Sequence, residues 1–210
     1  MNRIVLASAS PRRRDLFSRF NLPFDVRPVD VDESGAQGGN PEIIARRLAR
    51  VKAEAARLRD PEPAIIAADT VVALDRAILG KPVDAADARD MLRRLRGRAH
   101  AVVTAVAVMP ARSRNALARY PLTVVHMRNY GDQEIDASIS RADPFDKAGA
   151  YAIQDELFRP VERYDGCYCN VVGLPLWSTM ELLRKAGLKI SARVEELLPQ
   201  CAICPLRPDH

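Results

Sequence analysis

The sequence predicts an α/β protein built on a mixed β-sheet. Three observations carry that expectation. Short apolar runs rich in Val, Ile and Leu alternate with segments whose apolar residues recur at helical spacing. Caps and prolines punctuate those segments. The alternation is too irregular for a strict βαβ array, so strands of both directions are expected. With 210 residues, 48% of them hydrophobic and 28% charged, the chain can bury a core without staples.

Residues 3–9 read as a buried strand. Ser10 then offers an N-cap and Pro11 a first helical position, which predicts a short helix through residue 20. Residues 24–31 alternate loosely as a second strand. A Gly-rich loop over 34–40 leads to Asn40 and Pro41, a cap and helix start. Ile44, Leu48, Val51, Ala55 and Leu58 then share one face until Pro61 and Pro63 end the helix. Residues 64–74 form a strong strand. Asp84 and Asp87 resemble a capping box ahead of Ala88, Met91, Leu92 and Leu95, and Gly97 is a stop. Residues 99–109 and 122–128 read as neighbouring strands, and 132–140 as a short helix. Residues 141–147 read as a polar loop. Strand-like pieces are expected at 150–153, 160–163 and 170–172. Pro175 starts a last helix that ends near Gly187, and residues 195–210 read as a peripheral tail.

Composition narrows the function. The net charge of +5 permits a polyanionic partner without naming one. Basic residues are dispersed, apart from Arg12, Arg13 and Arg14, and no Lys/Arg tail is present. Only 5% of residues are aromatic, and no basic stripe interleaves with them, which argues against nucleic acid as partner. The longest apolar stretches are of strand length, so no membrane span is expected. The N-terminus lacks the layout of a signal peptide, and a cytoplasmic protein is expected. The cysteines form two close pairs, Cys167 with Cys169 and Cys201 with Cys204. They would supply a tetrahedral metal site if the tail folds back. The spacing is not a standard zinc pattern, and free thiols are the plainer reading.

Several segments suit chemistry on phosphates. Ser8, Ser10, Arg12 and Arg13 stand where a strand gives way to a helix start, so hydroxyls, free backbone N–H groups and guanidiniums meet there. A capped helix with solvated arginines is the bland alternative. Asp69 and Thr70 interrupt an apolar strand. A carboxylate there is costly unless paired or bound to metal, and it suits a general base or a ligand on a cleft floor. Lys81, in Gly80-Lys81-Pro82, adds a cation in a turn. Asp146 and Lys147, flanked by Gly149, could place one group on a metal and the other on a phosphate. Gln154 offers a donor and an acceptor that suit a base edge. Glu33, beside Asp30 and Asp32, could bind a divalent cation or simply face water. No Walker-type phosphate loop and no nucleophile elbow occurs.

Taken in order, these pieces resemble the Maf family of nucleotide pyrophosphatases. The resemblance rests on Leu6-Ala7-Ser8-Ala9-Ser10-Pro11-Arg12-Arg13, Asp32-Glu33-Ser34, Arg47-Leu48-Ala49 with Lys52-Ala53, and Ala68-Asp69-Thr70-Val71-Val72. It continues through Leu79-Gly80-Lys81-Pro82, Gly97-Arg98 with His100, Asp143-Pro144 with Asp146-Lys147-Ala148-Gly149-Ala150-Tyr151, Ile153-Gln154, and Asn170-Val171-Val172-Gly173-Leu174-Pro175. Each piece is weak alone, and their order over residues 4 to about 185 is specific.

The resemblance implies a Maf/ITPase-like fold of two lobes around an elongated mixed sheet, with a nucleotide cleft between them. It implies one catalytic domain over residues 1–190, a peripheral tail over 191–210, and a homodimer. It also implies hydrolysis of a nucleoside triphosphate to the monophosphate and pyrophosphate with Mg²⁺ or Mn²⁺. Asp69 falls on the family's proton acceptor, and Arg12, Thr70 and Gln154 fall on positions tied to substrate choice. Ser8, Arg13, Lys52, Lys81 and Lys147 fall on phosphate-contacting positions, and Glu33, Asp69 and Asp146 on metal positions. Gln154 resembles the branch that prefers dTTP and UTP. Asp155 stands where the family usually has glycine, so the loop that follows is expected to differ. The family's association with septum formation leaves a non-catalytic, nucleotide-binding regulator of cell division as the alternative.

Overall fold

The computed structural model describes residues 3–32, 39–141 and 144–208. The expectation at Glu33 therefore lies outside the described residues. The strands are β1 (Ile4–Leu6), β2 (Asp25–Val26), β3 (Ala64–Leu74), β4 (Ala77–Leu79), β5 (Ala99–Met109), β6 (Leu117–Arg119), β7 (Leu122–Met127) and β8 (Val161–Asp165). The helices are α1 (Pro11–Ser18), α2 (Pro41–Arg59), α3 (Ala85–Leu95), α4 (Asp132–Ser140), α5 (Tyr168–Val172), α6 (Leu176–Lys185), α7 (Val194–Leu197) and α8 (Pro199–Ala202).

The strands form one mixed sheet in the order β2-β1-β3-β5-β7-β8, with β4 added to β3 and β6 to β5. β1 runs parallel to β2 and β3, and the other pairings are antiparallel. This is the mixed sheet that the irregular alternation predicted, and the expected pairing of β5 with β7 is present.

β3 and β5 form the spine. They pair continuously from Ile65–Met109 to Ala73–Ala101. Alternate residues of β3 reach opposite faces. Ile65, Ala67 and Val71 pack under α2 with Ile44, Leu48 and Ala49. Ile66 and Ala68 pack with α1, α5 and α6 through Phe17, Leu176 and Trp177. Val72 and Leu74 belong to a third core with α3, α4, Val125 and Tyr130. The first two cores make one lobe and the third makes the other. Fully burying a Leu, Ile or Phe contributes about 1.5–3 kcal/mol, so the apolar face of each helix holds its lobe to the common sheet. Asn40 caps α2 through Glu42 and Ile43 N–H, and Asp84 caps α3 through Asp87 N–H.

Several local expectations differ from the structure. The strand expected over 24–31 is reduced to Asp25–Val26. Val51 and Leu58 of the expected α2 face are exposed, and Ala45, Ala49, Ala53 and Ala56 are buried beside Ile44 and Leu48 instead. Residues 170–172 belong to helix α5, closed by Gly173 at φ 119°. Residues 150–153 form no strand, because Gly149 and Ala150 take φ of 73° and 62°.

Candidate active site

The cleft follows from how β3 is flanked. β5 covers one edge of β3 throughout, while on the other edge β1 pairs only as far as Ile66 and β4 begins at Val72. Between them, among the described residues, 67–71 have no strand neighbour on that side. A cavity of about 540 Å³ opens there. It is lined by Ser8, Arg12, Arg13, Lys52, Asp69, Thr70, Lys81, Asp146, Lys147 and Gln154. These are all the site residues expected from the sequence, apart from Glu33. Asp30, Tyr151 and Ile153 also line it.

Asp69 and Thr70, adjacent on the strand, serve opposite faces. The Asp69 carboxylate accepts a hydrogen bond from the Lys52 ammonium of α2, and their side chains are only 10% and 14% exposed. Desolvation offsets most of the attraction in such a pair, so its consequence is mainly positional: the carboxylate is held at the cavity wall.

Thr70 Oγ1 accepts from Arg13 Nη2 at 2.9 Å and lies 2.9 Å from Thr104 Oγ1. Thr104 spends its own proton on the Asn170 carbonyl at 2.6 Å, so the Thr70 proton points to Thr104. Arg13 Nε donates to the Gly173 carbonyl at 2.9 Å. Gly173 has φ 119°, and a Cβ there would stand 3.4 Å from Thr70 Oγ1 and 3.5 Å from Arg13 Nε. Asn170 is fully buried. Its Oδ1 accepts from Thr104 N–H, and its Nδ2 donates to the Val102 carbonyl and Thr123 Oγ1, each at 2.9 Å. Thr104, Asn170 and Gly173 thus hold Arg13, and the sequence alone predicts no such role for them. One signal was present: Thr104 is a polar residue in the middle of an apolar strand.

The far wall is tied across the cleft. Arg12 Nη1 donates to Asp146 Oδ2 at 2.8 Å, and Lys147 Nζ donates to Asp146 Oδ1 at 2.7 Å. Partial burial works against the charged form of Asp146. The hydrogen bond from Lys147 and the nearby Arg12 charge outweigh it and bring the carboxyl below its ordinary pKa. Gly149 N–H donates to the Gly80 carbonyl at 2.9 Å, which stitches the Asp146–Lys147 loop to the Lys81 turn. Ser8 Oγ accepts from Ser10 N–H at 3.2 Å, and Ser10 Oγ caps α1. Asp155 anchors the loop after Gln154: its carboxylate accepts from Leu157 and Phe158 N–H and pairs with Arg141 at 3.0 Å. Below the cavity, His100 Nε2 and the Tyr151 hydroxyl are 2.7 Å apart.

Among the described residues, five cationic side chains and three carboxylates (those of Asp30, Asp69 and Asp146) line this cavity. The excess of cations, arriving from both lobes, suits a ligand with several negative charges in a row. Fold and cleft together define a phosphate-handling α/β protein. The chain belongs to the Maf family: the family model described as Maf-like protein matches residues 3–186. It is 52% identical over 207 residues to a protein of Thermomicrobium roseum named dTTP/UTP pyrophosphatase, covering 98% of this chain and 94% of that one. It is 46% identical over 185 residues to a protein of the same name from Geobacter sulfurreducens, covering 88% and 97%. Among solved structures, a HAM1 protein from Coxiella burnetii superposes with a TM-score of 0.47 at 18% identity, over 62% of this chain and 75% of that one. Among the described residues, no helix is long and apolar enough to cross a membrane.

Proposed function

We propose that this protein is a nucleoside triphosphate pyrophosphatase that hydrolyses dTTP and UTP to the monophosphate and pyrophosphate. The observation that carries the reading is the buried Asp69 carboxylate, held by Lys52 in a cleft lined by five cations. The shared name of the relatives supports the same reaction and favours catalysis over a purely regulatory role.

Asp69 accepts a proton from the water that attacks the α-phosphorus. The bond from that phosphorus to the bridging oxygen breaks, and pyrophosphate leaves with the bonding electrons. Ser8, Arg13, Lys52, Lys81 and Lys147 bind the phosphates and offset the charge that builds on the leaving group. Thr70 acts on the substrate through Arg13, because its hydroxyl is engaged with Arg13 and Thr104. Gln154 reads the base edge, and Arg12 completes the selectivity set.

The donor set fits a divalent cation. Asp69 and Asp146 present hard oxygens in the same cavity, and Mg²⁺ or Mn²⁺ is satisfied by one or two carboxylates with waters and phosphate oxygens. Glu33 joins them on the strength of the resemblance. Such an ion, when bound, neutralises charge on the phosphate oxygens. Catalysis is assigned to residues 1–190, in the cytoplasm where the nucleotide pool lies, and a homodimer belongs to the same reading.

The test is pyrophosphate release from dTTP, UTP, CTP and methylated GTP with Mg²⁺ or Mn²⁺. Turnover is expected to be strongest on dTTP and UTP. Asp69→Asn is expected to lower the rate on the order of 10²–10⁴-fold while the protein stays folded. A folded, fully active Asp69→Asn protein would remove Asp69 from the reaction. No turnover of any nucleotide by the metal-supplied native protein would overturn the function.

A further inference from the structure

The two cysteine pairs lie outside the cleft, and the structure brings them together. Cys167 and Cys169 stand at the start of α5, while Cys201 and Cys204 stand on α8 and just after it. All four are free and buried, within the same apolar core that contains Phe17 and Trp177. Cys169 Sγ and Cys201 Sγ are 3.6 Å apart. Cys167 lies in the same core, near enough to Cys169 and Cys204 for its thiol to interact with both. The four buried thiols therefore share one neighbourhood, with Cys169 and Cys201 in contact across two segments that are distant in sequence.

Buried single thiols are ordinary, since cysteine behaves as a small apolar side chain. Four in one knot are different. Thiols are weak donors and weak acceptors, so their mutual contacts gain little over aliphatic side chains of the same size. The 3.6 Å separation is far from the roughly 2.05 Å of a disulfide. It is close to the roughly 3.8 Å edge of a tetrahedron with zinc–sulfur bonds of about 2.3 Å. Among the described residues no three metal-ligating side chains are yet closed about one point, so binding an ion would draw the four sulfurs together around it. Sulfur selects a soft ion, unlike the carboxylates of the cleft.

We propose that Cys167, Cys169, Cys201 and Cys204 form a structural zinc site that clasps the C-terminal segment to α5. One Zn²⁺ enters, four thiol protons leave to solvent, and the tetrathiolate carries a net charge of −2. Arg19 lies close enough for its charge to act on Cys201, and it donates to the Leu197 carbonyl at 3.0 Å. Cys169 immediately precedes Asn170, the anchor of the Thr104–Thr70–Arg13 network. The clasp thus secures α5 behind the cleft without contributing to the reaction.

Metal analysis of the full chain, purified reduced and without chelator, tests this independently of activity. One zinc per chain is expected by plasma mass spectrometry, retained on dialysis against EDTA and released by a mercurial that titrates four thiols. Cobalt substitution is expected to give the absorption of a tetrahedral tetrathiolate. Cys201→Ser/Cys204→Ser is expected to lose the metal and lower Tm while pyrophosphate release by the folded fraction persists. If that variant fails to fold, the native stoichiometry decides. A reduced, folded chain that takes up no zinc from a zinc titration overturns the proposal. So does mass-spectrometric detection of a Cys169–Cys201 disulfide in place of metal.

Discussion

Arg13 is held at two points by its own protein, with Nε on the Gly173 carbonyl and Nη2 on Thr70 Oγ1. A guanidinium can satisfy both at once because its donors form a rigid fork, whereas a lysine has one flexible ammonium. Arg13→Lys is therefore expected to keep the fold and the charge but lower kcat/KM on the order of 10–100-fold. Steady-state kinetics beside a melting curve would separate this from unfolding, and unchanged kinetics would deny the fork any role. Asp69 was legible in the sequence because a carboxylate inside an apolar strand demands an explanation. Thr104 was not, because its role depends on the register that sets it directly across from Thr70. A strand's sequence does not state its partner. Asn170 was visible only as part of a family motif, and the carbonyls and hydroxyls it serves lie on β5 and β7.

The long elements were legible for a simple reason. α2 has an apolar stripe and a cap, and β3 and β5 have apolar runs long enough to override local ambiguity. Short ones were not. β4 and β6 span three residues each and exist because a longer strand offers them an edge. The valines at 171 and 172 favour extended structure on their own. α5 forms regardless, because burial of Cys169, Asn170 and Val172 and the left-handed Gly173 decide the backbone. The loop ahead of Gln154 teaches the same lesson through Gly149. A Cβ at that φ of 73° would be strained and would meet Val72 Cγ1 at 3.1 Å. Gly149→Ala is expected to cost about 1–3 kcal/mol and to displace Lys147 by loosening the bond to Gly80. Denaturant titration would measure the first effect and KM for dTTP the second. A variant of native stability would show that the loop absorbs the change.

For the molecule as a whole, His100 links stability to pH. Burial, aided by the charge of His126, lowers its pKa from 6.5 to about 4. The unfolded chain takes up the proton near pH 6.5, whereas the folded one resists it until about pH 4. Stability is thus undiminished above pH 6.5 and is lost as pH falls from there toward 4, by up to about 3 kcal/mol. His100→Gln is expected to flatten the fall in Tm between pH 6.5 and 5. An unchanged slope in calorimetry would assign the effect to other groups.

The shared spine also limits how the cleft can move. Because β3 and β5 pair without interruption through both lobes, swinging one lobe against the other would shear the ladder that builds both cores. Opening and closing is left to the segments that bridge the gap: the start of α1, the Lys81 turn, and the loop joined to α1 by the Arg12–Asp146 contact. Access would then turn on a clasp of charged side chains at the rim, a more local movement than a domain hinge. A polyphosphate entering the cleft would compete for those same cations, so arrival of the ligand and release of the clasp become one event.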